Sequence, residues 1–228
     1  MLKSILTIVA FLVSFNLLAQ GPPMAQFNRA PPLKTMPVAP PEVEGTVFLN
    51  DEWVVGTIEI KKNTLVEDVP IRYNMDNQTL EIKYEGEIKI CPLERLQSFA
   101  YLNFKGSQFK YYNTSEVNNI SFDIPKGICR VIVNDKVKLL QYVYLETIKS
   151  NYNVALATGD PNHKLVKKET PYAIVDDQVY EVKNSLKRNS AIFGDKSDKI
   201  KAFTKKNKLN FKDENDLTQI FEYFNSLL

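Results

Sequence analysis

One histidine, two cysteines and a few acid doublets are the residues here whose types could carry bond-making chemistry. Their spacing argues against most of it. His163 lies in the hydrophilic stretch Gly159-Asp160-Pro161-Asn162-His163-Lys164. Any Ser-His or Cys-His route would pass its proton through this single residue, and an exposed turn offers no partner to orient the ring. Paired carboxylates occur at Asp51-Glu52, Asp176-Asp177 and Asp213-Glu214, among others. Neighbouring acids on an extended chain point to opposite sides, whereas glycoside cleavage needs two carboxyl groups flanking one bond. No glycine-rich phosphate loop, dinucleotide fingerprint or calcium-loop spacing occurs. Catalytic, cofactor and metal residues are therefore assigned as none, and a non-enzyme is expected. A carboxylate pair assembled from distant segments stays open as an alternative.

Three further groups bear on binding and on redox state. Cys91 and Cys129 each sit in an apolar, strand-like run, and an exported pair is a possible disulfide or else two buried thiols. The interval from Lys183 to Lys212 holds ten basic residues against Asp195 and Asp198. Within it, Lys199, Lys201, Lys205 and Lys206 are the candidate contacts for an anionic partner, set against an ordinary solvated helix face. Trp53, Tyr111 and Tyr112 are candidate aromatic contacts, set against core packing. With 29 Lys+Arg, 27 Asp+Glu and a formal charge of +2, no nucleic-acid partner is expected.

The elements that must position these residues follow from pattern. Residues 1–19 read as a secretory signal: Lys3, an apolar run from Ile5 to Leu18, and Ala19 before the cleavage point. No later run is apolar and long enough to span a bilayer, so no transmembrane segment is expected after cleavage. Residues 20–44 read as a Pro-rich disordered linker holding seven of the chain's 12 prolines. Residues 45–182 read as an antiparallel β-rich region. Hairpin turns are expected at Asn50-Asp51, Met75-Asp76-Asn77, Asn134-Asp135 and Asp176-Asp177, where Asn and Asp tolerate left-handed backbone. Leu80, Ile82 and Tyr84 alternate with Glu81, Lys83 and Glu85, as in a half-solvated strand. Residues 93–112 are ambiguous between strands and a helix, with a turn at Gly106-Ser107. Residues 183–228 read as a helical hairpin packed on the same domain. Its first helix runs from near Ser197 to near Asn207. Its second is capped by Asp213 and carries Leu217, Ile220, Phe221 and Phe224 on one stripe.

The layout resembles a group of exported proteins of Bacteroidota-type bacteria. The similarity is carried by the signal ending Leu17-Leu18-Ala19-Gln20, the opening from Gly45 to Trp53, and the tail. In the tail, Asp198-Lys199-Ile200-Lys201-Ala202-Phe203 leads to Lys206-Asn207-Lys208-Leu209, then Asp216-Leu217 to Tyr223-Phe224-Asn225. No activity is assigned to that group, so no functional residue carries over. The resemblance implies a periplasmic or outer-surface location.

The fold expected is therefore α+β, mainly β, an antiparallel meander with a two-helix tail. The function expected is a non-enzymatic envelope or secreted module that binds a protein or envelope component, with no cofactor. A hydrolase with carboxylates from distant segments and a structural subunit of an envelope assembly are the alternatives.

Overall fold

The computed structural model describes residues 42–61, 64–102, 106–117 and 124–228. The signal and all but the last three residues of the linker fall outside these. The fold is α+β and mainly β, with a mostly antiparallel sheet and a helical C-terminal segment.

Eleven strands form one sheet: β1 (Val43–Glu44), β2 (Val54–Ile60), β3 (Thr64–Asn74), β4 (Thr79–Tyr84), β5 (Glu87–Pro92), β6 (Leu96–Leu102), β7 (Gln108–Asn113), β8 (Ile128–Asn134), β9 (Lys138–Ile148), β10 (His163–Val175) and β11 (Gln178–Glu181). The order across the sheet is β1-β10-β9-β8-β7-β6-β2-β3-β4-β5, with β11 also on β10. All neighbours are antiparallel except β1 and β10. The helices are α1 (Thr114–Val117), α2 (Ser190–Phe193), α3 (Ser197–Asn207) and α4 (Glu214–Ser226).

The turns explain most of this order. Asp176 and Asp177 both have positive φ (47° and 63°), which makes the two-residue turn that joins β10 to β11. Glu85 and Gly86 (52° and 81°) do the same between β4 and β5. The hairpins at Met75-Asp76-Asn77 and Asn134-Asp135 form as expected. Residues 93–112 resolve to the strands β6 and β7 about the Gly106 turn. Aromatic side chains there pack flat across neighbouring strands, Phe99 lying between Tyr73 and Tyr111 at 5.6 and 5.2 Å.

Two expectations need correction. Asn50-Asp51 is not a hairpin turn. Leu49 donates to the carbonyl of Tyr73 and Met75 to that of Val47, while Val54–Ile60 pairs with the same β3. The chain bends at residues 50–53 and continues along one partner. The linker also ends earlier than residue 44, because Val43 and Glu44 are already β1.

The sheet must curl. In the strand order β10 and β3 are six steps apart, which in a flat sheet is roughly 29 Å. Yet Glu44 pairs with Lys164 of β10, and Phe48 bridges to Asn74 of β3. The four backbone steps from residue 44 to residue 48 can reach at most about 14 Å. Residues 44–48 therefore tie the two strands together across a concave face.

That face carries two cores. Val143 and Leu139 of β9 are four residues apart and so share a side. Val143 belongs to a cluster with Ile58, Ile71, Tyr73, Leu80, Phe99 and Tyr111. Leu139 belongs to a second cluster with Ala173, Phe193, Ile200, Leu217, Phe221 and Phe224, where the C-terminal helices cover the sheet. The intervening β9 residues Leu140 and Tyr142 face the other way, with Cys129 and Ile124. Asn225 locks the last helix in place. Its side chain accepts from Val137 N (2.7 Å) and donates to Val137 O (2.9 Å).

Candidate functional site

Where residues 44–54 cross the concave face they leave a cleft of about 850 Å³. Leu49 and Val54 form one wall, Tyr101, Leu102 and Phe109 another, and Leu165 and Lys167 of β10 a third, while the Phe48 ring turns to the other face, 3.7 Å from the Arg72 guanidinium. The walls are mainly apolar, with few polar groups, as small-ligand and peptide sites tend to be. Leu49 is buried, and Phe48 and Phe109 are half-buried. Leu102 is 63% exposed at the rim.

The cleft is held open by polar ties at its edges. The Tyr101 hydroxyl donates to Asn50 Oδ1 at 3.3 Å, and Lys167 Nζ donates to the Leu49 carbonyl at 3.4 Å. Tyr101 stacks on Tyr111 (6.0 Å, 15°) and meets the edge of Phe109 at 6.0 Å. Burial pushes the phenols of Tyr73 and Tyr111 far above the ordinary range, and for Tyr111 the neighbouring Tyr101 adds to the shift.

Behind Phe109 runs a polar belt that separates the two cores. Arg130 lies 4.7 Å from the Phe109 ring centre and is ion-paired with Glu214 at the start of α4. Opposite Arg130, Gln141 donates from Nε2 to Glu169 Oε2 at 3.2 Å. Gln141 is 8% exposed, and its Oε1 is the one buried side-chain polar atom among the described residues with no hydrogen-bond partner.

The edge of β10 beside the cleft is open in the middle. The β1 strand covers it at His163 and Lys164, and β11 at Tyr172 to Val175. The tight turn at Asp176-Asp177 fixes the alternation: Val175 and Ala173 turn their N–H and C=O toward β11, and Pro171 turns its carbonyl the same way, accepting from Val182 N. By the same alternation Lys167 and Glu169 turn theirs outward, between β1 and β11. Among the described residues no strand pairs with them there. Both are exposed, with side chains on the cleft side.

The residues singled out from sequence do not meet at this cleft. Trp53 is half-buried on the opposite side of β3, its ring 4.7 Å from the Arg72 guanidinium and 4.3 Å from Lys83 Nζ. Tyr111 is core. Tyr112, next to it on a strand, faces the other way under Lys110 at 4.8 Å. The three aromatics are thus no common platform; strand alternation forbids it. Lys199, Lys201, Lys205 and Lys206 are all exposed on α3. At 100° per residue they fall into two pairs roughly 130° apart, flanking the buried stripe of Ile200 and Thr204.

Cys91 and Cys129 are free, buried thiols. Cys91 is in the concave-face core and Cys129 in the cluster on the other side, so the disulfide weighed from sequence is corrected to two separate thiols. Burial pushes Cys129 up to about 12 and raises Cys91, which keeps both in the unreactive thiol form.

His163 is not in an open turn. It starts β10, half-buried, and its Nδ1 accepts from Ser150 N at 2.8 Å. Of the acid doublets, Asp51-Glu52 lies on the cleft rim, Asp176-Asp177 forms a turn, and Asp213 caps α4 while Glu214 holds Arg130. Among the described residues no group of three or more His, Cys, Asp or Glu is placed to hold a metal ion. No helix of the described residues is long and apolar enough to cross a membrane.

Sequence reasoning missed the cleft because its walls come from residues more than a hundred positions apart, brought together by the parallel β1–β10 pair. A two-residue strand at the end of a Pro-rich segment carries no periodicity to announce it. The chain matches no family model, no curated protein and no solved structure.

Proposed function

We propose that the protein is an exported, non-catalytic module that binds a partner protein of the envelope or the secreted fraction by an extended apolar segment. The observation that carries this is the unpaired stretch of β10 lying along an apolar cleft. Lys167 and Glu169 present main-chain donors and acceptors that an added strand would satisfy. The cleft beside them would take that strand's alternate side chains, the division of labour found in strand-addition complexes. The charged side chains of Lys167 and Glu169 discourage indiscriminate pairing and select a partner of matching charge. Export is supported by Lys3, the apolar run to Leu18 and the small Ala19.

Site-specific photo-cross-linking in cells tests the reading. A photoreactive residue at Leu102 or Lys167 is expected to trap one partner reproducibly, while one at the exposed Asp135 in the β8–β9 turn traps none. Adducts formed from Lys201 on α3 and never from the cleft positions would replace the cleft with the basic helix as the contact.

A further inference from the structure

The other edge of the sheet is open too, and its chemistry differs from that of β10. No strand among the described residues pairs with the outer side of β5. The two-residue turn at Glu85-Gly86 closes on the pair Tyr84 and Glu87, so Glu87, Lys89 and Cys91 turn their N–H and C=O toward β4. Leu93 N bonding to Gln78 O continues the same alternation. Ile88 and Ile90 therefore turn theirs outward; Pro92, next in the alternation, has no N–H to lose there, and its carbonyl accepts from Arg95 N at 3.0 Å. Ile88 is 57% exposed and Ile90 63%. Open edges usually carry charges or a bulge on the side chains that would be buried by pairing. Here those side chains are isoleucines.

We infer that β5 is a self-association edge, pairing antiparallel with β5 of a second copy about a two-fold axis at Ile88. Charge chooses the occupant and the register. With Ile88 opposite itself, Glu87 of each copy faces Lys89 of the other, giving two opposite-charge cross-strand pairs. Ile88 and its mate exchange both main-chain bonds, and each Ile90 lies opposite the other copy's Gly86. The rival register, centred on Lys89, sets two lysines face to face and is disfavoured. An axis between two residues would oppose an outward-facing group to an inward-facing one, so it makes no ladder. A two-fold contact buries one patch against itself and closes, leaving no growing edge. One strand and four isoleucines make a small interface, so the association is expected in the micromolar range.

A charge-swap series on the signal-free chain decides the matter. Light scattering and sedimentation over a concentration series are expected to show a monomer–dimer equilibrium. Lys89→Glu or Glu87→Lys is expected to weaken it at least about tenfold, since each sets two like-charge pairs across the axis. The double variant Glu87→Lys/Lys89→Glu restores the pairs and is expected to return to within about threefold of the starting affinity. Both positions are exposed, so all three variants keep the fold, which circular dichroism checks. Ile88→Cys is expected to form a disulfide-linked dimer on mild oxidation; Val55→Cys, 61% exposed elsewhere on the sheet, is not. A chain still monomeric at several hundred micromolar overturns the inference, as does a dimer that the double swap fails to restore.

Discussion

Replacing Asn225 by leucine tests how the helical tail is fastened to the sheet. Asn225 is 7% exposed, and its amide replaces a strand's worth of pairing for one residue: it takes the N–H and returns a donor to the C=O of Val137. A third bond reaches Phe221 O at 3.1 Å. Leucine has a similar volume, so the cavity contribution is small. What remains is two main-chain groups of Val137 buried without partners, each costing about 1–3 kcal/mol. The sum is about 3 kcal/mol, a sizeable part of the ~5–15 kcal/mol that holds a domain together. For a domain of this size that is a fall in Tm of about 6–12 °C. Urea unfolding followed by Trp53 fluorescence and by far-ultraviolet dichroism measures it. Trp53 reports the sheet, whereas the dichroism also reports the helices. Coincident transitions with unchanged slope mean that the tail and sheet unfold together. Asn225→Asp adds a sign. The buried carboxylate would face the Val137 carbonyl, so its folded pKa is raised above the unfolded value near 4. Its stability is retained below that value and lost as pH rises through the folded pKa, so the variant lies closer to the parent at pH 4 than at pH 7. A loss under about 0.5 kcal/mol for Asn225→Leu would refute the clamp, because it would mean Val137 finds other partners at no cost.

Further outcomes are as specific. Gly56→Ala is expected to cost about 2–4 kcal/mol in thermal melts, because its Cβ would meet Ala100 O at 2.5 Å and Ile71 Cδ1 at 2.6 Å. Phe193→Ala, among Phe211, Phe221 and Phe224 in the helical core, is expected to cost about 3–5 kcal/mol by the same assay. Both thiols are expected to react with an aromatic disulfide reagent only on unfolding, and electrophoresis without reductant should show no internal bridge. Because burial raises Tyr73, Tyr111 and Tyr142, their contribution to stability is intact below the unfolded tyrosine pKa near 10 and falls away above it. Ultraviolet titration should therefore find tyrosines that ionise only together with alkaline unfolding.

The sequence speaks clearly where interactions are local. The tail was legible because Leu217, Ile220, Phe221 and Phe224 repeat at helical spacing and Asp213 caps the helix, its side chain accepting from Asp216 N. The β10–β11 and β8–β9 hairpins were legible because Asp and Asn turns announce themselves. Asn50-Asp51 shares that chemistry and still misled, since the same residues also suit a bend within one run. What distinguishes bend from hairpin is β3, whose pairing with both halves is not visible in residues 47–55. The aromatic candidates failed for a related reason. Composition marks Tyr111 and Tyr112 equally, but one lies within the core and the other beneath Lys110, and only register decides which. No local pattern in the sequence sets Asn113, Asn189 or Asn225 apart from surface polar residues. Each instead is buried and bonds main-chain groups, a role fixed wholly by tertiary contact.

The two open edges ask opposite things of their side chains, and that contrast supports reading them as separate sites. On β10 the outward-turned residues carry Lys167 and Glu169, with Pro171 ending the gap. Centred on Lys167, Lys168 or Glu169, a two-fold pairing of this edge with itself sets two like charges face to face, so it resists its own copies and accepts a strand whose charges answer its own. It also lies beside a cleft, so a bound strand would gain apolar contact that a second copy of β10 could not supply. On β5 the outward-turned residues are Ile88 and Ile90, and the facing charges Glu87 and Lys89 complement each other across a two-fold axis. That edge is built to meet itself. If β5 pairs between copies, each β10 edge and its cleft stay free, eight strand steps along the sheet order from β5. The assembly would then be bivalent, with two clefts on one rigid sheet. A multimeric partner would be held more tightly by the dimer than by the monomer, without any new contact at the cleft. The charge-swapped monomer should accordingly bind such a partner more weakly while its cleft keeps its affinity for an isolated segment. Equal binding of the multimeric partner by monomer and dimer would show that the edges are not coupled in this way.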